Sequence, residues 1–236
     1  MSVESLPATK TWRPRPISGS VIEDDPPAID SRQPVIGILA LQGDVAEHRV
    51  MLERLGARIR DVKLPADLDG LDGLILPGGE STTMGKLMRR FGLLEPIRAA
   101  ARDGLAIYGT CAGMILLSNE IQDPGDDQPI IGGMDITVER NAFGPQVESF
   151  ESDIEIPALP GGPFHGVFIR APGVVSVGPG VEVLARLDDN TPVAARQGNM
   201  LVTSFHPELT RDGRMHKLFL HLVAQSAPST MSAVGR

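Results

Sequence analysis

Hydrophobic residues in this chain fall into short continuous runs that alternate with stretches of helical periodicity. The first run, Val35–Ala40, is apolar throughout, which is typical of a strand buried on both faces. Residues 44–55 follow with apolar positions at helical spacing, and His48 falls on the same face. We interpret His48 as a hydrogen-bonded histidine at a packing edge rather than as a ligand. The pattern predicts a strand followed by a helix.

The same alternation continues along the chain. Strands are predicted at 59–64 and 71–76, and helices at 87–102, with a break at Gly92, and at 213–224. Residues 130–197 differ, because their apolar runs are short and β-like and are separated by many glycines and prolines. We therefore predict an α/β fold with a mostly parallel sheet, to which antiparallel strands have been added.

Composition divides the 236 residues into three parts. Residues 1–33 are rich in proline, serine and charge, and such a segment cannot bury enough apolar surface to fold alone. We expect a disordered extension there, although an upstream start codon would leave the same pattern. Residues 34–225 are long enough for one sizeable α/β domain, and residues 226–236 are predicted to form a flexible tail.

Charge and cysteine content narrow the classes of function. The formal net charge of −8 argues against a general nucleic-acid-binding surface. A single cysteine excludes an internal disulfide framework and suits a reducing compartment, so we expect a cytoplasmic location. No apolar stretch approaches the roughly 20 residues of a membrane span, and the first residues lack a signal-peptide core. Neither nucleic acid nor a membrane is expected as a partner.

The single cysteine stands in the Gly-Thr-Cys-Ala-Gly motif at 109–113, between an apolar run and a helix-like run. A strand, a tight Gly-x-nucleophile-x-Gly turn and a helix form a nucleophile elbow. The glycines let the backbone bend sharply, and the N-terminus of the helix favours a thiolate at Cys111. A buried and inert cysteine is the alternative interpretation.

A second motif offers a base and an acceptor. His206 and Glu208 lie two residues apart after an apolar run, and on an extended segment this spacing places both side chains on one side. A cysteine nucleophile needs a base, and the imidazole needs an acceptor that fixes its tautomer. Cys111, His206 and Glu208 can fill these three roles. A surface-loop histidine is the alternative for His206.

A third motif follows the strand predicted at 71–76. Pro77-Gly78-Gly79 is a turn whose backbone N–H groups are not covered by side chains, and such groups can stabilise an oxyanion. The Ser and Thr residues at 81–83 are predicted to cap a helix. Taken alone, a Pro-Gly-Gly sequence is usually only a turn.

The sequence contains no motif for a metal or a cofactor. Its histidines are scattered, and Cys111 has no cysteine neighbour that would complete a metal site. The Gly78-Gly79 turn lacks the Lys-Ser/Thr ending of a P-loop, and the first strand lacks the Gly-x-Gly-x-x-Gly spacing of a dinucleotide site. We therefore expect neither a metal nor a cofactor.

Together, these motifs resemble those of class I (triad) glutamine amidotransferases. The segments Ala40–Asp44, Val138–Gly144 and Val167–Pro172 narrow the resemblance to the glutaminase subunits of pyridoxal 5'-phosphate synthases. The similarity runs from about Val35 to about Val223. It implies a flavodoxin-like fold, with a three-layer open sheet and helices on both faces.

The resemblance also implies an activity and a set of site residues. The chain would hydrolyse L-glutamine to L-glutamate and ammonia through a thioester intermediate on Cys111, with the oxyanion held by the N–H groups of Gly79 and Ala112. The residues implied in substrate binding are Gly78, Gly79, Glu80, Arg140, Ile169 and Arg170. The two arginines would pair with the substrate α-carboxylate or brace the pocket. Without the resemblance, solvated charges at strand ends are the simpler interpretation of both.

A partner is implied as well. Ammonia would pass to a (β/α)8-barrel synthase subunit in a hetero-oligomer that makes pyridoxal 5'-phosphate, a form of vitamin B6. We therefore expect the activity to be classified both as a hydrolase and as a lyase. Gln42, after the first strand, is a candidate for sensing the docked subunit. The alternatives are a glutaminase subunit of another pathway and a non-catalytic regulatory subunit, and the complete triad motif argues against the second.

We predict that residues 1–33 are dispensable for catalysis, because their composition cannot bury much apolar surface and the family resemblance begins only near Val35. A chain that starts at Gln33 should match the full-length chain in melting temperature and in partner-stimulated glutamine hydrolysis. A large drop in either quantity would show that the extension packs on the domain or on the synthase subunit.

Overall fold

The computed structural model describes residues 33–122, 127–143 and 149–226. The predicted N-terminal extension lies outside these residues except for Gln33, and the predicted tail lies outside them except for Ser226. Ser226 is the last residue of a helix, so that helix reaches one residue into the predicted tail.

In this part of the chain the strands alternate with helices in the first half and follow one another in the second. The strands are β1 (Val35–Leu39), β2 (Arg58–Val62), β3 (Gly73–Leu76), β4 (Ala106–Thr110), β5 (Ser118–Gln122), β6 (Met134–Glu139), β7 (Ser149–Ile154), β8 (Phe164–Ile169), β9 (Gly173–Val177), β10 (Glu182–Arg186), β11 (Pro192–Gln197) and β12 (Met200–Thr203). The α-helices are α1 (Val45–Arg54), α2 (Ser81–Arg90), α3 (Leu94–Arg102), α4 (Ala112–Leu117) and α5 (Arg214–Ser226). Within the described ranges, no helix is long and apolar enough to cross a membrane.

The central sheet has seven strands in the order β10-β11-β12-β4-β3-β1-β2. The pairs from β2 through β1, β3 and β4 to β12 are parallel, whereas β11 and β10 are added antiparallel at the β12 edge. The parallel part has the flavodoxin-type strand order 2-1-3-4-5, with β12 as the fifth strand. Two smaller sheets, β5-β6-β9 and β7-β8, lie beside it. The predicted mostly parallel sheet with added antiparallel strands is therefore confirmed.

Alternate residues of the central strands enter two separate cores. On one face, Ile36 and Tyr108 belong to the core formed with α1, α5 and the β7–β8 hairpin. On the other face, Leu74 and Ile107 belong to the core formed with α2, α3, α4 and β6. Because successive side chains of a strand point to opposite faces, these uniformly apolar strands need cover on both sides. The three-layer architecture is confirmed.

Two local predictions differ from the structure around α2. The helical stretch predicted at 87–102, with a break at Gly92, is observed as α2 and α3, but α2 begins earlier than predicted, at Ser81. Gly92 adopts a φ of +70° after α2, where glycine is favoured. The predicted Ser/Thr cap is wrong, because the N-cap is Glu80, whose carboxylate accepts the backbone N–H groups of Thr82 and Thr83. A carboxylate at this position also interacts favourably with the helix dipole.

The parallel strands bring the sequence motifs to one edge of the sheet. The carboxyl ends of β1, β3, β4 and β12 lead into residues 40–44, the Pro77–Gly79 turn, Cys111 and His206, respectively. Since the carboxyl ends of parallel strands lie at the same edge, segments far apart in sequence meet there. This edge is the candidate functional site.

Candidate active site

Cys111 lies at a sharp turn between β4 and α4. Its backbone adopts a φ of 47° and a ψ of −102°, a left-handed conformation that is strained for a residue with a side chain. Its N–H donates to the carbonyl oxygen of Thr203 in β12 at 2.8 Å. A Cβ atom at Gly113 would lie 2.1 Å from the carbonyl oxygen of Leu76, so this position tolerates only glycine. The segment has the strand–turn–helix geometry of a nucleophile elbow.

His206 and Glu208 meet through a turn rather than along an extended segment. Pro207 disfavours a helical conformation at His206, which has a φ of −103° and a ψ of 87°. Pro207–Leu209 then forms a short 3-10 helix. This turn places Nδ1 of His206 2.8 Å from Oε1 of Glu208. The predicted contact is present, but the extended geometry from which it was predicted is not.

The environment of His206 favours a charged imidazole ring. Burial lowers the pKa of His206, but hydrogen bonds with Asp44, Cys111 and Glu208 outweigh this effect and raise the pKa to about 12. Nδ1 faces Oε1 of Glu208 and also Oδ2 of Asp44, at 3.3 Å. Both carboxylates face Nδ1, which leaves Nε2 as the ring nitrogen available to Cys111. At neutral pH the ring carries protons on both nitrogens.

Glu208 is a buried carboxyl group whose side chain is inaccessible to solvent. Burial raises its pKa, and the hydrogen bond and charge of His206 lower it again in part. A carboxylate in this position depends on its donors, because an unpaired buried charge is costly. Protonated His206 therefore stabilises the ionised form of Glu208, and ionised Glu208 stabilises the protonated form of His206.

Asp44 is a site residue that the sequence interpretation missed. It follows β1 and is the N-cap residue of α1, so the sheet-edge rule for parallel strands was the signal that could have found it. Asp44, His206 and Glu208 each place one potential metal-ligand atom within 4.8 Å of the others. Both carboxylates, however, approach the same ring nitrogen. We interpret the group as two acceptors for one N–H rather than as a metal centre.

The Gly78–Gly79 turn is packed against the imidazole ring. A Cβ atom at Gly78 would lie 2.3 Å from Cε1 of His206. The Gly78 carbonyl oxygen accepts the backbone N–H of Asp44 at 3.2 Å, and because the peptide is planar, this contact sets the direction of the Gly79 N–H. The N–H of Ala112, the first residue of α4, belongs to the helix N–H groups that have no intrahelical acceptor. Ala112 directly follows Cys111, whereas the Gly79 N–H points away from Asp44, opposite to the Gly78 carbonyl. Their role as oxyanion donors stays a prediction.

Gln42 contacts the same turn. Its Oε1 accepts the backbone N–H of Glu80 at 2.8 Å, and a Cβ atom at Gly79 would lie 2.5 Å from this oxygen. Gln42 therefore holds the turn from the β1 side. Its suggested role as a sensor of a docked subunit stays a prediction.

The other predicted binding residues come from three strand ends. Ile169 ends β8, and its carbonyl oxygen lies 3.9 Å from the sulfur of Cys111. Arg170 follows with a φ of 43° and an exposed side chain.

Arg140, after β6, donates to Oγ1 of Thr82 at 3.2 Å, at the beginning of α2. Glu80 uses its carboxylate to cap α2. Gly144, the last residue of the motif that contains Arg140, lies outside the described residues.

The fold is that of the glutamine amidotransferases, the Cys, His and Glu side chains at its sheet edge resemble a triad site, and comparison with known proteins agrees with this class. A family model described as the SNO glutamine amidotransferase family matches residues 38–225. A solved structure described as a glutamine amidotransferase is 53% identical, covers 80% of this chain and 98% of its own, and superposes with a TM-score of 0.76. PurLQS from Thermotoga maritima, at 19% identity and a TM-score of 0.60, shares the fold over 82% of this chain and 99% of its own.

Relatives at 56–58% identity carry a more specific name, pyridoxal 5'-phosphate synthase subunit PdxT. The one from Clavibacter sepedonicus is 58% identical over 197 residues, which cover 84% of this chain and 94% of that protein. The one from Streptomyces coelicolor is 56% identical over 193 residues, covering 82% and 95%, respectively. The chain belongs to the SNO glutamine amidotransferase family.

One expectation that came with the resemblance is wrong. We expected both a hydrolase and a lyase term to apply to the chain. The family and these relatives support glutamine amide hydrolysis, and a lyase term conflicts with a hydrolase. The chain is a glutaminase of the amide-hydrolase class.

We predict that Gly43→Ala impairs glutamine hydrolysis, because its Cβ atom would lie 1.8 Å from the Gly78 carbonyl oxygen and would displace the turn. Gly162→Ala is the matched control, since Gly162 also has a positive φ, of +86°, but a Cβ atom there meets nothing within 4 Å. Both variants bear the backbone strain of about 1–2 kcal/mol, and only Gly43→Ala should lower kcat, by about tenfold or more. Equal kcat values for the two variants would contradict this account.

Proposed function

We propose that this chain hydrolyses L-glutamine to L-glutamate and ammonia and supplies the ammonia to the synthase subunit of a pyridoxal 5'-phosphate synthase, in vitamin B6 biosynthesis. The observation that carries the proposal is the buried His206, held by Glu208 on one ring nitrogen and brought with Cys111 of the elbow to one edge of the sheet. The name shared by the relatives supports the pathway.

The first half of the reaction forms a thioester. The sulfur of Cys111, with its proton on His206, attacks the side-chain carboxamide carbon of glutamine. The N–H groups of Ala112 and Gly79 stabilise the resulting oxyanion. His206 then donates its Nε2 proton to the departing nitrogen, and ammonia leaves as the C–N bond breaks.

The second half releases glutamate. His206, now neutral, accepts a proton from a water molecule that attacks the thioester carbonyl. The C–S bond breaks, glutamate leaves, and Cys111 and His206 regain their starting charges. Glu208 and Asp44 stabilise the charged form of the ring whenever it appears and keep Nε2 directed at the reacting atoms.

Substrate binding draws on the strand ends around Cys111. Arg140 and Arg170 are the proposed partners of the substrate α-carboxylate, because a guanidinium group binds a carboxylate through two parallel hydrogen bonds. Ile169 lines the approach to the sulfur. Gly78 and Gly79 leave room for the side-chain amide, and Glu80 supports the turn by capping α2.

The partner and the location complete the proposal. We assign the ammonia acceptor to a (β/α)8-barrel subunit docked in a hetero-oligomer, which would shield ammonia from protonation in solvent. Neither nucleic acid nor a membrane is proposed as a partner, in keeping with a net charge of −8. The reactive thiol suits the reducing conditions of the cytoplasm.

Ammonia release measured with and without the candidate synthase subunit tests this proposal against a glutaminase of another pathway and against a non-catalytic subunit.

We predict unequal losses among variants of the three catalytic residues. Cys111→Ser and His206→Asn should each lower kcat by about 10⁴-fold or more, because they remove the nucleophile and the proton carrier. Glu208→Gln should retain more activity, since it removes only orientation and charge stabilisation. Steady-state ammonia release by the purified variants, with unchanged melting temperatures as a control, makes the comparison. A Glu208→Gln variant that is clearly slower than His206→Asn would show that the roles are wrongly assigned.

We also predict that the isolated chain is a weak glutaminase and that the synthase subunit stimulates it. The Gly78–Gly79 turn is the proposed switch, because a glycine-rich peptide can reorient its N–H at low steric cost. The increase should appear mainly in kcat, since a correctly directed N–H stabilises the transition state more than the bound amide. Ammonia production is measured at saturating glutamine with increasing synthase subunit. A turnover number that saturating partner leaves unchanged would refute the switch, even if a stable complex forms.

A further inference from the structure

Next to Glu208 lies a row of buried polar side chains that includes residues the proposed reaction does not use. His48 of α1 and His216 of α5 are fully buried. Nδ1 of His48 lies 3.0 Å from Nε2 of His216. Nε2 of His48 lies 3.2 Å from Oγ1 of Thr110 and 3.5 Å from Oε2 of Glu208. The row therefore continues from His216 through His48 and Glu208 to His206.

Two atoms of this row are buried without a hydrogen-bond partner. They are Oε2 of Glu208 and Nδ1 of His216. Leaving a buried acceptor of a charged group unpaired carries a large desolvation cost. Nε2 of His48 lies 3.5 Å from this unpaired carboxylate oxygen, so a proton on Nε2 would face a buried charged acceptor.

His48 and His216 are both neutral near neutral pH. Burial lowers the pKa of His48, and electrostatic interaction with the His216 and His206 rings lowers it further. Burial likewise lowers the pKa of His216, to about 4. At neutral pH each ring therefore carries one N–H, and its tautomer decides which neighbour receives a donor.

Only one pair of tautomers supplies a donor to the carboxylate. If Nε2–H of His216 donates to Nδ1 of His48, then His48 carries its own proton on Nε2, which faces Glu208. In the opposite arrangement Nδ1–H of His48 donates to His216, and a lone pair on Nε2 faces the carboxylate in a buried environment. The second arrangement places two acceptors against each other, which a low dielectric makes costly.

Other groups around His48 do not reverse this preference. Thr110 of β4 is uncharged, and its hydroxyl can donate or accept. Tyr108 of β4 packs edge-on against the ring of His216, and burial raises its pKa, so it stays neutral. His206 is the only positive group in the row, and its charge disfavours a second charged ring at His48.

We propose that His48 is a positioning residue for glutamine hydrolysis: as the Nε2–H tautomer, fixed by His216, it holds the buried Glu208 as a carboxylate directed at His206. This inference rests on the proposed glutaminase function and deepens it. Glu208 then has an N–H facing each of its two oxygens, one from His206 and one from His48. In this role His48 acts through Glu208 rather than on the substrate.

The proposal has a defined consequence for the dependence of activity on pH. Burial already raises the pKa of Glu208, and the reaction uses its ionised form, which is present above this pKa and lost as the pH falls through it. Removing the His48 donor leaves Oε2 with no N–H and raises this pKa further. The loss of kcat on the acid side should therefore begin at a higher pH.

The first experiment compares His48→Leu with His48→Gln, in the full chain with the synthase subunit present. Leucine removes the donor, whereas glutamine places an amide N–H near the position of Nε2. His48→Leu should lower kcat by about tenfold with little change in KM. In a plot of kcat against pH, the fall on the acid side (the acid limb) should move to higher pH by about one unit. His48→Gln should restore most of both. A wild-type acid limb in His48→Leu, or equal losses in the two variants, would overturn the proposal.

A variant at the other end of the row covers the case in which His48→Leu fails to fold. His216→Leu removes the donor to Nδ1 of His48 and also the unpaired Nδ1 of His216. One unpaired buried ring nitrogen thus replaces another, so the melting temperature should change little. Its acid limb should nevertheless move upward, because the tautomer of His48 is no longer fixed. An unchanged limb in this stable variant would contradict the proposal.

A spectroscopic measurement separates this inference from the proposed function. Long-range ¹H–¹⁵N correlation spectra of the wild-type chain near neutral pH should show His48 as the Nε2–H tautomer. A proton on Nδ1 would overturn the inference, whether or not the chain hydrolyses glutamine. A wild-type chain that shows the Nε2–H tautomer but releases no ammonia with the synthase subunit would refute the proposed function alone.

Discussion

The hydrogen bond between Nδ1 of His206 and Oε1 of Glu208 is the interaction on which the rest of the site depends. It links two buried groups that would each be costly if unpaired, and it keeps one protonated and the other ionised. It also fixes the plane of the imidazole ring, so that the remaining nitrogen is the one that serves Cys111. Asp44 adds a second, more exposed carboxylate on the same nitrogen. The charge of the ring is therefore a property of the fold and is present before substrate arrives.

The parallel sheet makes this arrangement possible, and the glycines around it mark positions where no larger residue fits. Four parallel strands end at one edge and deliver segments that are far apart in sequence. The backbone then approaches the ring and the elbow so closely that a single methyl group at Gly43, Gly78 or Gly113 would overlap a carbonyl oxygen or the imidazole. The fold thus provides a rigid frame, while the turn after β3 keeps the flexibility of glycine.

Most of the strands and helices and the main chemical groups of the site could be predicted from the sequence, because each is marked by a local sequence pattern. Continuous apolar runs marked β1 and β3, and the Gly-x-Cys-x-Gly motif marked the elbow. Contacts that depend on three-dimensional proximity were out of reach. Asp44 meets His206 only because β1 and β12 end at the same edge, and His48 is fully buried in a polar row instead of lying at a packing edge. Glu80 replaced the expected Ser/Thr cap because a carboxylate satisfies two N–H groups at once.

The most direct test of this account is the protonation state of His206, measured by ¹⁵N NMR of its ring nitrogens as a function of pH. The account predicts that both nitrogens stay protonated from about pH 6 to about pH 8, because hydrogen bonds with Asp44, Cys111 and Glu208 raise the pKa far above that of a free histidine. The same titration in Glu208→Gln should show a lower pKa. A wild-type His206 that loses its proton near pH 6.5, about the value for an unperturbed histidine, would contradict the account.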